Sequence, residues 1–332
     1  MASIEYSSTD TGAPQMAGNV PGSLLGVLKA VLVNGYGDKQ PLGWELMFED
    51  TAAYVAVYRP REGSRMFLCI SDNTAVHQNS HGCFAKAIAY ESMFSPQHGT
   101  HPCPLLQDYD NGVCGYIYKT VQNNNLAKQW KIIGDSCGFY LITFPMSDRT
   151  VSYNMRGSVA YFGDYITILA NTISNKYNWI TWTKGADKFG GSKEGAGNAI
   201  MRNGLTQLKG AKYAMMDSAG SFIRAASGAT ASGADIFYNS NKIPYNNYAN
   251  NLPVYCQYRL GHDGAYFGAM PGLFEPLTGQ DYKRDLIYYD AMDENNTMIS
   301  IPTAIGRGYA IDYASYYGRI SILIGERFRY AF

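Results

Sequence analysis

The sequence is short of charge. Lys, Arg, Asp and Glu make up 16% of its 332 residues, against roughly 25% in an average soluble domain. Its 27 basic residues cancel its 27 acidic ones. Such a chain has no extended positive field to draw in nucleic acid or an anionic membrane, so neither is expected as a partner. Apolar runs are short as well. The longest, Leu24 to Val33, is broken by Gly26 and Lys29 and falls short of a membrane span. Residues 1–22 lack the basic and apolar regions of a signal peptide, so synthesis in a cytoplasm is expected. The six cysteines (Cys69, Cys83, Cys103, Cys114, Cys137 and Cys256) form no CxxC pair, and free thiols are expected. Neither a heptad run nor a repeat of about 20–50 residues is visible, which excludes a coiled-coil shaft and a solenoid.

Catalytic signatures are equally scarce. The surroundings of Ser218 and Ser221 do not form a GxSxG elbow, and the five histidines suggest no Ser-His-Asp order. The tract FGGSKEGAG lacks the GxxxxGK[ST] pattern of a phosphate loop and reads as a flexible segment. QDYDNG places Asp108 and Asp110 before an Asn-Gly turn, like the start of a calcium loop. The closing Glu is missing, because Lys119 stands at position 12. Asp290, Asp293 and Glu294 complete the acidic set without a recognisable spacing. One constellation could hold a metal: His98-x-x-His101-x-Cys103 on one proline-rich loop, with His81-x-Cys83, and His77 nearby, on another. The spacing matches no closed zinc motif, so ordinary polar loop histidines are the plainer reading. No catalytic residue, cofactor or resident metal is expected.

What the chain has is aromatic and small residues: 28 Tyr and 35 Gly. Tyrosine offers a flat apolar face with a polar tip and suits subunit interfaces or sugar contact. Tyr245, Tyr248, Tyr282, Tyr288, Tyr316 and Tyr317 are the candidate interface residues, with internal packing of a β-sandwich as the bland alternative. The organising stretch is Pro21 to Asp72. Leu24, Leu25, Leu28, Val31 and Leu32 fall at helical spacing, with Ser23 as the expected N-cap and Asn34-Gly35 as the stop. Strand-like runs follow at Trp44–Phe48, Ala53–Arg59 and Met66–Ser71. A helix lying across this meander would bury its apolar stripe.

Further strands are expected at Val113–Lys119, Lys131–Ile133, Gly138–Phe144, the run SVAYFGDYITILA and Trp179–Thr183. Ser95 to Gly112 reads as a long irregular loop with three prolines. The glycine-rich tract Lys184–Gly197 is the expected boundary. The expected organisation is therefore an extended N-terminal arm over 1–22, a helix plus β-meander or sandwich domain over 23–185, and a second β-rich module over 186–332. The expected fold class is mainly β, with antiparallel sandwich-like modules and one short N-terminal helix.

Three stretches carry a resemblance. "VLVNGYGDKQPLGWELMF", followed by "AVYRP" and "MFLCISDN", is similar to the start of a group of uncharacterised bacteriophage virion structural proteins of about this length. "GSVAYFGDYITIL" (Gly157 to Leu169) and "GAMPGLFEPL" (Gly268 to Leu277) fit the same pattern. The resemblance implies a non-enzymatic protein of the virion, with itself and other virion proteins as partners. Taken with the large neutral β chain, it leads to the expectation of a homo-oligomer in the tail or neck: a collar, tail-hub or fibre-attachment component. The alternatives are a tail protein that binds or degrades host surface glycan, and a head decoration protein.

Overall fold

A computed structural model of the chain describes residues 2–75, 78–79, 82–104, 106, 115–120, 125–143, 158–167, 178–184, 196–202, 206–209, 214–216, 222–224, 255–262, 265–276, 301–303, 306–314, 318–323, 325 and 328–329. It is mainly β, with one short helix and several antiparallel sheets. In chain order come β1 (Ile4–Ser7), β2 (Met16–Ala17), α1 (Ser23–Lys29), β3 (Glu45–Asp50), β4 (Val55–Arg59), β5 (Phe67–Ser71), β6 (Gln78–Asn79), β7 (Gly82–Ser95), β8 (His98–Cys103) and β9 (Tyr116–Thr120). Then follow β10 (Ala127–Lys128), β11 (Trp130–Asp135), β12 (Gly138–Thr143), β13 (Ser158–Asp164), β14 (Ile166–Thr167), β15 (Trp179–Lys184), β16 (Ala196–Arg202) and β17 (Thr206–Lys209). The chain continues with β18 (Ala214–Met216), β19 (Phe222–Arg224), β20 (Tyr255–His262), β21 (Ala265–Pro276), β22 (Ile301–Thr303), β23 (Gly306–Ala314) and β24 (Gly318–Leu323).

Two sheets share the main core. One runs β1-β11-β12-β13-β15-β16-β17; the other runs β3-β4-β5-β7-β6, with β8 and β9 also pairing β7. Trp130, Ile132, Phe139, Leu141, Ala160, Phe162 and Trp179 from the first sheet are buried in one cluster with Ala56, Tyr58, Leu68, Ile70, Ala85, Ala87 and Ile117 from the second. Helix α1 seals this sandwich with Leu24, Leu25, Val27 and Leu28. The expected helix-on-meander nucleus is present. β4 is buried on both faces as its sequence suggests: Ala56 and Tyr58 enter the main core, while Val55 and Val57 join a second cluster with Cys69, Ile88, Tyr90 and Met93.

The helical segment stops at Asn34-Gly35 as expected, but its last turn and its N-cap differ from expectation. Its α segment stops at Lys29 and Ala30–Asn34 forms a π turn, closed by the 2.7 Å bond from Gly35 N–H to the Ala30 carbonyl. The wider turn serves the returning chain, for Leu42 and Trp44 donate their N–H groups to the carbonyls of Val31 and Leu32 at 2.9 and 2.8 Å. At the other end Ser23 is not the cap. Gly22 holds that position at φ 75°, and the Ser23 hydroxyl donates instead to the Ala17 carbonyl.

Residues 2–22 do not lie as a separate arm. β1 pairs antiparallel with β11, from Ile4↔Gly134 to Ser7↔Lys131, and β2 pairs with β10. Tyr6 and Met16 supply the apolar anchors and are fully buried. The expected boundary also falls within a sheet. β15 and β16 flank the glycine tract and pair directly, with Thr183↔Gly197 and Lys184↔Ala196, so the tract connects neighbouring strands. β14 in turn pairs with β21 through Ile166↔Ala269, and the Tyr140 hydroxyl donates to the Pro271 carbonyl. The run SVAYFGDYIT gives two strands that break at Tyr165 rather than at Gly163.

Candidate functional site

Five charged side chains, Asp72, Lys119, Asp135, Asp164 and Arg329, form two largely buried networks. The first lies at the start of α1. The Asp72 carboxylate, at the end of β5, accepts the Leu24 N–H at 2.8 Å and so caps the helix from 48 residues away. Its other oxygen accepts from Lys119 Nζ at 2.6 Å, and the same ammonium donates to the Val20 carbonyl at 2.8 Å. Both side chains are 0% exposed. One ion pair thus ties together β5, β9, the helix N-terminus and the segment leading into it. Burial pushes Asp72 up and Lys119 down from their ordinary values, each opposed by the other's charge. A negative group at a helix N-terminus is favourable in itself, which adds to the pairing.

The second network lies at the other end of β5. Asp164, at the end of β13, accepts the Ser64 N–H at 2.6 Å and also the Ser64 hydroxyl. Asp135, at the end of β11, accepts the N–H groups of Cys137 and Gly138, and so shapes the β11–β12 turn. Arg329 joins both regions: its guanidinium forks onto Asp135 and donates to the Asp164 carbonyl at 2.8 Å. Burial pushes the Asp164 carboxyl up, with the Ser64 bonds and Arg329 opposing. Burial works against the Arg329 charge, yet Tyr161 and Asp135 raise its pKa overall. Beside it, Phe328 is fully buried against Tyr140, and Gly325 exchanges hydrogen bonds with Ser3. The two ends of the chain are therefore stitched onto the same sandwich.

These arrangements hold charge in place rather than present it. An ammonium and a carboxylate sealed from water, with their lone pairs and protons engaged, offer a substrate no approach. Neither network was legible in the sequence. Asp72 sits in an ordinary strand-ending SDN, and Lys119 in an alternating strand where a solvated face is the usual reading.

The structure separates Cys83 from the other described candidate ligands, His98, His101 and Cys103. Residues 98–103 form β8, a strand rather than an irregular loop, and it pairs with β7 as a hairpin. Pro102 is tolerated because β8 pairs only β7 among the described strands, so its missing N–H breaks no second ladder. On β7, Cys83 opposes Thr120, whereas Cys103 opposes Ala89. Those positions are six residues apart along one strand, roughly 20 Å, too far for one ion. His98 bonds Ser95 and His101 pairs with Glu91 at 2.8 Å, both at the surface end of the hairpin. Among the described residues no group of three or more His, Cys, Asp and Glu could hold a metal.

His77 and His81 lie outside the described residues, as do Asp108, Asp110, Ser218, Ser221, Asp290, Asp293 and Glu294. The six candidate interface tyrosines, Tyr245, Tyr248, Tyr282, Tyr288, Tyr316 and Tyr317, also lie outside them. Cys69, Cys83, Cys103 and Cys137 are separate buried thiols, and burial pushes Cys69 up to about 12. No described helix is long and apolar enough to cross a membrane. Set against known proteins, the chain matches no family model, and no curated protein matches it.

Proposed function

We propose that the chain is a non-enzymatic structural protein of a bacteriophage particle, oligomerising in its tail or neck as a collar, tail-hub or fibre-attachment component. The observation that carries this reading is where the acid and base groups have gone. Asp72, Lys119, Asp135, Asp164 and Arg329 are all committed to tying strands, helix and chain ends together. Such a body is built to keep its shape. Its outer surface, in contrast, carries apolar side chains beyond the second cluster. Met47, Phe48 and Phe67 are half-buried beside it, and Phe94 is 71% exposed near the tip of the β7–β8 hairpin. A projecting aromatic side chain of this kind suits insertion into a neighbouring subunit. The three resembling stretches supply the particle itself. Two of them cover most of β3–β5 and β13, which are strands of the sandwich, and reach β14 beside it.

The reading is tested by labelling the subunit in purified particles and locating it by electron microscopy, alongside incubation of the purified protein with host surface glycan. Label at the tail or neck with no release of reducing sugar is expected. Reproducible turnover of glycan would assign the chain to the degrading class of tail protein, and label on the head shell would make it a decoration protein.

A further inference from the structure

The loop between β4 and β5, Pro60 to Met66, brings two arginines to the carboxylate that Arg59, the last residue of β4, already pairs. Arg59 donates two hydrogen bonds to one Glu45 oxygen, 3.2 Å from Nε and 2.8 Å from the terminal nitrogen, and its guanidinium lies 5.2 Å from the Phe67 ring centre. Arg61 and Arg65 stand 3.7 and 3.9 Å from the same carboxylate, beyond hydrogen-bonding reach. Their side chains are 66% and 52% exposed. Among the described residues neither has a second acidic partner. Glu62, the loop's own acid, turns to the Ser136 hydroxyl at 2.6 Å. Three positive charges therefore share two negative ones, and Arg59 places both its hydrogen bonds on one oxygen of Glu45, while Arg61 faces the other oxygen without reaching it.

The loop is fixed rather than trailing. Ser64 is clamped by Asp164 through both its N–H and its hydroxyl. Gly63, at φ 69°, lies so close that an added Cβ would collide with the Asp164 carboxylate. Arg65 adopts φ 55°, a left-handed conformation that costs a non-glycine residue energy and fixes the direction of its side chain. Arg61 and Arg65 add Coulomb attraction to Glu45 from beyond hydrogen-bonding distance.

We infer that this loop is a docking surface for the carboxylates of an acidic protein segment, held by the guanidinium forks of Arg61 and Arg65. Planar guanidinium groups match carboxylates two bonds at a time. With Glu45 and Glu62 beside the three arginines the local excess is one positive charge, which a single carboxylate matches. The balance of 27 basic against 27 acidic residues supplies no wider field for a polyanion. The inference stands apart from the proposed virion role.

The test uses the full chain and a fluorescent peptide of alternating Glu and Asp, read by anisotropy at low and physiological salt. A peptide with Gln and Asn in their place serves as control, with inorganic phosphate and a short DNA duplex as competitors. The double variant Arg61→Gln/Arg65→Asn removes both forks while keeping a residue that tolerates the left-handed backbone at 65. Arg61→Gln alone leaves that backbone untouched. Saturable binding of the acidic peptide is expected. It should weaken about tenfold in the double variant and two- to fivefold in the single one, with unchanged melting, and fall with salt. No saturable binding, or equal binding by the variants, would overturn the inference. Tighter binding of phosphate or DNA through the same arginines would overturn it too, in favour of a phosphate-reading loop.

Discussion

Replacing Lys119 by Met should cost this protein more stability than emptying a typical core site of one methyl group. The ammonium is fully buried, 2.6 Å from Asp72 and 2.8 Å from the Val20 carbonyl. Met fills similar volume, so the loss is electrostatic. Asp72 is left in a dry site with only backbone N–H groups to stabilise its charge. Removing one partner of a buried pair costs about 3–5 kcal/mol, whereas replacing both partners with neutral groups costs far less. Asp72→Asn combined with Lys119→Met keeps an oxygen for the Leu24 N–H, so the helix cap survives. The Val20 carbonyl still loses its donor, about 1–3 kcal/mol. The double variant should therefore recover part of the single variant's loss.

The pH dependence has a definite sign. In Lys119→Met the folded Asp72 pKa is raised by burial without the opposing cation. Protonation then favours the folded state, and stability should be greatest in acid. It should decline as pH rises from the unfolded carboxylate value through the raised folded one. Urea unfolding followed by tryptophan fluorescence reads this directly, because all four tryptophans (Trp44, Trp130, Trp179 and Trp182) are buried in the two-sheet body. A Lys119→Met protein within about 1 kcal/mol of the parent, or one that gains stability as pH rises, would refute the reasoning.

Three other perturbations probe different parts of the body. Leu28→Ala, at a fully buried position on α1, should destabilise by about 2–5 kcal/mol in the same assay. Removing residues 2–20 should also destabilise the isolated protein, because Tyr6 and Met16 each bury a side chain worth about 1.5–3 kcal/mol; unchanged melting would mean that β1 and β2 contribute nothing. Cys69 should resist a thiol reagent at neutral pH and react once urea unfolds the chain, since it is buried, with its pKa pushed up to about 12.

The sequence was most informative where one local pattern decides the outcome. Helical spacing from Leu24 to Leu32 and the apolar alternation of Val55 to Arg59 specify which faces are buried, and no distant residue is needed to read them. It was least informative where the partner lies far along the chain. Ser23 has the right chemistry for an N-cap, yet Asp72 takes the role because β5 ends beside the helix and Lys119 stabilises the carboxylate there. Residues 1–22 look too polar to fold alone, and they do not fold alone: an edge of the first sheet receives Ile4–Ser7 through backbone bonds, for which composition matters little. The tract Lys184–Gly197 has the glycine content of a linker, but the residues at its ends are strand partners. The histidine and cysteine set lay close in sequence, and only the β7–β8 register shows Cys83, His98, His101 and Cys103 spread along one hairpin.

The central claim, an architectural subunit that assembles, is tested most directly by electron cryo-microscopy of the purified full-length chain across a concentration series. The expected result is a closed ring or other discrete oligomer of fixed copy number, with the sandwich intact in each subunit. A uniform monomer at every concentration, alone and with the other proteins of the particle, would contradict it.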